Sequence, residues 1–177
     1  MVERKVYISG EMMPESQARI SIFDSAVMLG YTATESTRTF GHIPFKLAEH
    51  VDRLFKSLKV MRIDPGCDAA QMLRITQDVL KANLQCYTPD QDCWIVHNIS
   101  RGLSIAGSDP TKTASGATVM IFTQPMDLRS WAGFYTSGCH AVTAMSRAVP
   151  AQSLDARIKN RSRLAYTLAE AELKLVD

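Results

Sequence analysis

Between residues 40 and 47 the hydrophobic period of this chain changes from that of a strand to that of a helix, and it changes back before residue 94. Neither an all-helical nor an all-strand fold accommodates that alternation, so the chain is read as mixed α and β. Lys5-Val6-Tyr7-Ile8 alternates, Gly10 supplies a turn, and the chain is expected to return as a strand through Ile20-Ser21-Ile22-Phe23. A further strand over residues 35–40 runs into Gly41-His42-Ile43-Pro44-Phe45, with the proline at a strand edge.

From Leu47 the apolar residues fall at Leu47, Val51, Leu54, Phe55 and Leu58, the spacing of one buried helical face. A second helix is predicted to start at Asp68, whose carboxylate can accept the free amides of the first turn while Gln71 reaches back, with Met72, Ile75, Val79 and Leu80 inward. β-Branched and aromatic content then predicts strands over residues 94–101 and 117–123, joined by a polar loop over 104–116. Gln124-Pro125-Met126-Asp127 follows a strong strand, and the boundary between a first domain, 1–125, and a second, 126–177, is expected there. Beyond it a strand over 140–149, a turn at Pro150 and a helix with Leu164, Leu168 and Leu175 along one side are predicted. That helix runs into Leu173-Lys174-Leu175-Val176-Asp177 without a glycine cap, which reads as an incomplete chain.

Composition narrows the function classes. With 46% hydrophobic and 21% charged residues the chain can bury a real core. Twenty basic residues against 18 acidic ones leave +2, and no Lys/Arg run exceeds the pair Arg4-Lys5, so nucleic acid and membrane surfaces are not expected partners. No apolar leader and no run of about 18 apolar residues is visible, and a cytoplasmic location follows by default. Cys67, Cys86, Cys93 and Cys139 lack any Cys-x-x-Cys spacing and read as reduced structural thiols rather than as a zinc site.

Five stretches in order carry a resemblance: Ile22-Phe23-Asp24 with Gly30, Glu35 and Arg38; Phe45, Leu47, His50, Arg53, Leu54 and Ser57; Ser100-Arg101-Gly102; Ile158-Lys159; and Ala169-Glu170-Ala171-Glu172. Together they resemble the class IV aminotransferases, which include branched-chain and D-amino-acid aminotransferases, R-selective amine transaminases and aminodeoxychorismate lyase. The resemblance implies a two-domain α+β fold with a complete N-terminal α/β domain and the beginning of the larger C-terminal domain. It implies pyridoxal 5'-phosphate as cofactor, held as a Schiff base on Lys159, and transfer of an amino group between an amino acid of branched-chain type, or a primary amine, and a 2-oxo acid. A homodimer is implied too, because the family's pocket lies near the contact between protomers.

Lys159 suits the role by chemistry, since an amine is both the nucleophile toward an aldehyde and, once freed, a carrier of protons. On composition alone it would be a solvated lysine in the basic stretch 157–163; the ordered motifs decide against that. Arg53 is implied to bind the cofactor phosphate, with a surface pair to Glu49 as the plainer alternative. Arg38 and Arg101 are candidates for the substrate carboxylate or for structural pairs with Glu35 or another acid. Tyr31 and Thr34 fall where the family shapes specificity, although Tyr31 could equally be a core aromatic. His50 belongs to the helix signature, and His97 shares a strand face with Ile95, Ile99 and Arg101 and reads as a satisfied structural residue.

Two departures open the substrate question. Asn160-Arg161-Ser162-Arg163-Leu164 replaces the glycine-asparagine-tyrosine run that commonly follows the lysine in branched-chain enzymes, with Tyr166 two positions beyond the expected tyrosine. Thr34 stands where an aromatic is usual. The family's acidic partner for the pyridine nitrogen, and most of its phosphate donors, would come after residue 177. By itself this chain is not expected to be a competent transaminase: either a separate C-terminal fragment of the same protein completes it or it is a non-catalytic truncated fragment, and a lyase using the same lysine is the further alternative.

Overall fold

Ser9 and Gly10 both take positive φ, 44° and 108°, and this two-residue turn folds β1 (Lys5–Ile8) directly back onto β2 (Glu11–Pro14). The computed structural model describes residues 2–104 and 115–174. The return strand is thus β2 and not residues 20–23, which turn instead into a short helix, α1 (Ser25–Leu29). The reversal at Gly10 leaves no room for a longer excursion, and Asp24 commits the later segment to a helix start: its carboxylate accepts the Ala26 amide at 2.8 Å. Gly30, at φ 63°, ends α1 in the left-handed conformation.

β3 (Thr32–Phe40) follows, then β4 (Ile43–Pro44), α2 (Leu47–Val60), α3 (Ala69–Asn83), β5 (Cys93–Ser100) and β6 (Thr118–Pro125). Among the described residues the six strands form one sheet in the order β2-β1-β6-β5-β3-β4, antiparallel at every pairing. The two long helices form as their spacing predicts. α2 buries Leu47, Val51, Leu54 and Leu58; α3 buries Met72, Val79 and Leu80, with Ile75 partly covered, and starts on the expected capping box between Asp68 and Gln71. With Ile95, Ile99 and Ile121 of the sheet these side chains make the core. The polar loop expected over 104–116 lies largely outside the described residues.

Asn83 closes the far end of α3 onto the sheet. Its Oδ1 accepts the Lys5 amide at 2.7 Å, and its Nδ2 donates to the carbonyls of Lys5 at 2.8 Å and Val79 at 2.9 Å. The side chain is fully buried, so each of those bonds would otherwise be a desolvated polar group.

The chain divides into two compact units, Met1–Met126 with Arg157–Arg161, and Asp127–Ala156 with Ser162–Asp177. Arg157–Arg161 belongs to the first because it pairs with the start of β3: the Thr34 amide donates to the Lys159 carbonyl and the Arg161 amide to the Thr32 carbonyl, both at 2.9 Å. The second unit holds α4 (Arg129–Ala132), α5 (Phe134–Ser137) and α6 (Leu164–Leu173). The strand predicted over 140–149 does not form. A strand needs a ladder partner, and the described elements of this unit are helices. Glu172 fastens that segment instead, its carboxylate accepting the amides of Met145 at 2.7 Å and Ser146 at 3.0 Å and the Ser146 hydroxyl. No helix among the described residues is long and apolar enough to cross a membrane.

Asn83→Ala leaves the Lys5 amide without the Asn83 acceptor and is expected to lower the unfolding free energy by about 1–3 kcal/mol. Urea denaturation followed by far-UV circular dichroism measures this; an unchanged midpoint would show that the clasp contributes nothing.

Candidate active site

A glutamate in the middle of a strand is unusual when it is fully buried, and Glu35 on β3 is 0% exposed. It survives there because four donors converge on one of its oxygens. Oε1 accepts Arg53 Nη2 at 2.6 Å, the Ser36 amide at 2.9 Å, and His50 Nδ1 and Lys159 Nζ at 3.1 Å each. Oε2 accepts Arg53 Nε at 2.7 Å, so the guanidinium grips the carboxylate with two parallel bonds. A carboxylate has no hydrogen to give, so His50 Nδ1 carries the proton in its bond. Burial alone would push the Glu35 carboxyl up, but the bonds from Arg53, His50, the Ser36 amide and Lys159 outweigh it and hold it down to about 2. The same bond to Glu35 raises Arg53 above its already high ordinary value.

Three segments deliver these groups. β3 alternates, so Ala33, Glu35, Thr37 and Thr39 face the core while Thr34, Ser36 and Arg38 face away. α2 presents His50 and Arg53 one turn apart, toward Glu35. Arg157–Arg161 runs along β3, and the Lys159 amide also donates to Ser57 Oγ of α2 at 3.2 Å, which fixes the base of the lysine side chain independently of its amine.

His97 lies directly opposite Glu35 in the β3–β5 ladder and is equally buried. The Thr76 hydroxyl gives its proton to the Met72 carbonyl at 2.6 Å, so the 2.9 Å contact between Thr76 Oγ1 and His97 Nε2 requires Nε2 to be the donor. Nδ1 is then an acceptor, and it has no hydrogen-bond partner among the described residues. Burial pushes this imidazole down to about 4, against weak opposition from the Glu35 charge, which keeps it neutral.

The other expected residues sit elsewhere. Arg38 pairs with Asp92 at 3.5 Å and lies over the Phe40 ring at 3.8 Å. The Thr34 hydroxyl donates to Asn98 Oδ1 at 2.8 Å. Arg101 approaches the Tyr31 ring, 5.8 Å from its centre, and the Tyr31 hydroxyl donates to the Met61 carbonyl. Arg53 takes Glu35 rather than Glu49 as its acid. Thus Arg53 and Lys159 come together on one carboxylate, Tyr31 and Arg101 come together at the end of β5, and Thr34 and Arg38 occupy the opposite face of β3. Gly102 holds the Ser100-Arg101-Gly102 corner: at φ 88° it lies so close to Gly116 that a Cβ would fall 1.7 Å from the Gly116 carbonyl oxygen. In the sequence Glu35 stood as one position of the resemblance and as a possible partner for Arg38 or Arg101, with no role of its own; its strand alternation with Thr37 and Thr39 was the available signal that it faces inward.

The family model for amino-transferase class IV matches residues 32–176, a span that contains every member of this cluster. The chain belongs to that family. Among curated relatives, a putative branched-chain-amino-acid aminotransferase of Methanocaldococcus jannaschii is 27% identical over 168 residues, covering 95% of this chain and 55% of the relative. An aminodeoxychorismate lyase of Bacillus subtilis is 30% identical over 117 residues, 66% of this chain and 39% of that protein. The fold is like that of the branched-chain aminotransferase of Thermoproteus uzoniensis, solved with norvaline, at a TM-score of 0.80 and 19% identity over 97% of this chain and 56% of that one. The chain spans about half the length of the Methanocaldococcus relative and of that solved structure.

Both buried acid–base groups bind protons less readily in the folded chain than unfolded. His97 falls from 6.5 to about 4 and Glu35 from 4.5 to about 2, so their stabilisation is complete above pH 6.5 and is lost as the pH falls, first through His97 and then through Glu35. Melting temperature should therefore decline between pH 6.5 and 4, and His97→Gln, which cannot take up the proton, should flatten that limb. Parallel curves for the two proteins would contradict the assignment.

Proposed function

We propose that this chain carries the lysine-bearing half of a pyridoxal 5'-phosphate-dependent aminotransferase, with Lys159 as the amine that holds the cofactor and Arg53 as a ligand of its phosphate. The observation that carries the reading is the placement of Lys159 Nζ and the Arg53 guanidinium on one carboxylate within a matched class IV family segment. The residues fit such a group. Lys159 remains 29% exposed and Arg53 51% exposed, so both are reachable from solvent, and among the described residues the bonds of Arg53 use only its Nε and Nη2 atoms. Nη1 is left to meet an anion. When bound, the cofactor supplies an aldehyde carbon for the amine and a ring that withdraws electrons from the substrate α-carbon. Lys159 Nζ, once free of the aldehyde, stands ready to accept and return the α-proton.

Further support comes from relatives. Another branched-chain amino acid aminotransferase, similar in fold at a TM-score of 0.79 with 22% identity, was solved with N-(5'-phosphopyridoxyl)-L-glutamate. We take a branched-chain-type amino acid and a 2-oxo acid as substrate pair, Arg101 or Arg38 for the substrate carboxylate, and Tyr31 and Thr34 for side-chain selection. The acid for the pyridine nitrogen and the remaining phosphate donors are assigned to the half of the relatives' length that this chain does not span, whether from a longer chain or a second fragment, in a homodimer. The similarity to the Bacillus subtilis lyase supports a second reading, carbon–carbon cleavage through the same lysine.

Addition of pyridoxal 5'-phosphate should produce a visible absorbance band that Lys159→Ala abolishes. A band of equal intensity in the variant would remove Lys159 from the role. With a branched-chain amino acid as donor and a 2-oxo acid as acceptor, appearance of the acceptor's amino acid together with the donor's oxo acid, rather than a cleavage product, separates the transaminase from the lyase.

A further inference from the structure

Glu35 Oε1 receives more donors than one carboxylate oxygen accommodates well, since the whole carboxylate offers about four acceptor sites and Oε2 receives only one donor. The bonds are unequal. Arg53 holds at 2.6 and 2.7 Å and the Ser36 amide at 2.9 Å, whereas Lys159 and His50 stand at 3.1 Å. Removing the lysine ammonium therefore leaves the buried charge still gripped by a bidentate guanidinium and a backbone amide, which avoids the large cost of an unpartnered buried carboxylate. Removing Arg53 would instead take away the shortest bond to Oε1 and leave Oε2 without its donor.

We propose that Glu35 is a positioning residue for the cofactor, one that locks Arg53 and only parks Lys159. This rests on the functional reading above. The carboxylate takes the Nε and Nη2 edge of Arg53 and so directs the remaining Nη1 edge outward, in a fixed orientation, as the phosphate-facing group. The same oxygen holds the Lys159 amine near that edge until an aldehyde replaces the contact. Lys159 can leave because its backbone is held separately, by Thr34 and by Ser57 Oγ. One buried acid thereby sets the spacing between the two groups that must engage opposite ends of one small molecule. Glu35 itself touches neither end.

The test is the preference of Lys159 for a phosphate-bearing aldehyde. The protein is treated separately with pyridoxal 5'-phosphate and with pyridoxal, trapped with borohydride, and the modified lysines are quantified by peptide mass spectrometry. Lys159 should react preferentially with the phosphorylated aldehyde. Arg53→Ala should reduce that preference about tenfold, Glu35→Gln should reduce it by a similar factor, and the double variant should be no worse than Arg53→Ala alone, because Glu35 acts through Arg53. A purely structural glutamate would lower the melting temperature without moving the ratio of the two aldehydes.

A folded Glu35→Gln protein with an intact preference, or a double variant whose losses multiply, overturns the proposal while leaving the functional reading in place. Where Glu35→Gln does not fold, Glu35→Asp decides: it keeps the charge but draws the carboxylate back by one methylene, and an unchanged preference in it overturns the proposal. If Lys159 of the parent protein is labelled no more than other lysines by pyridoxal 5'-phosphate, the functional reading fails and the positioning role falls with it.

Discussion

Burying the Glu35 carboxylate is the constraint on which the arrangement of this chain turns. Taking an ion out of water carries an effective cost of several kcal/mol, recovered only if its lone pairs are met by well-placed donors. Here the donors come from a helix that follows the strand and from a segment more than 120 residues away in sequence. β3, α2 and Arg157–Arg161 must all be in place before the charge is satisfied, so the cluster ties strand, helix and distant segment into one requirement. Arg53 is the largest favourable contributor, and its bidentate bond is the geometry a guanidinium makes best.

Beside it, the sheet adopts a matching solution for His97. Opposite residues in an antiparallel ladder place their side chains on one face, so the imidazole and the carboxylate share the same buried layer under α2 and α3. One is kept ionised by donors and the other neutral by burial. Their difference follows from what each finds nearby: Glu35 has three cationic or proton-bearing side chains, and His97 has the oxygen of Thr76. The apolar side chains of α2 and α3 supply the dry surroundings that strengthen both effects.

Membership of the class IV family places this arrangement in a chemical context. A fold at TM-score 0.80 to a branched-chain aminotransferase persists at 19% identity, which is what is expected when the core pattern rather than individual surface residues defines the architecture. The polar content of β3, Thr32 through Thr39, is unusual for an interior strand and is explained by its neighbours: Thr37 donates to the Phe45 carbonyl at 2.6 Å and Thr39 to Asp92 at 2.7 Å. Arg38, Asp92 and Phe40 secure the β3–β4 turn at one end of the strand while Lys159 and Arg161 meet the other.

Local patterns were legible wherever one element determines its own form. The spacing of Leu47, Val51, Leu54 and Leu58 gave α2, the pair Asp68 and Gln71 gave the start of α3, and β-branched runs gave β5 and β6, because burial period and capping are properties of a few consecutive residues. The ordered motifs likewise singled out Arg53 and Lys159. Pairing was not legible: the return strand of the first hairpin is β2 rather than residues 20–23, and the run over 140–149 forms no strand, since a ladder depends on a partner that periodicity does not name. The role of Glu35 also lay beyond the chain's local grammar. Its inward direction follows from alternation, but that Arg53, His50 and Lys159 meet on its oxygens depends on how a strand, a helix and a distant segment pack, and only tertiary structure brings such donors to one buried charge.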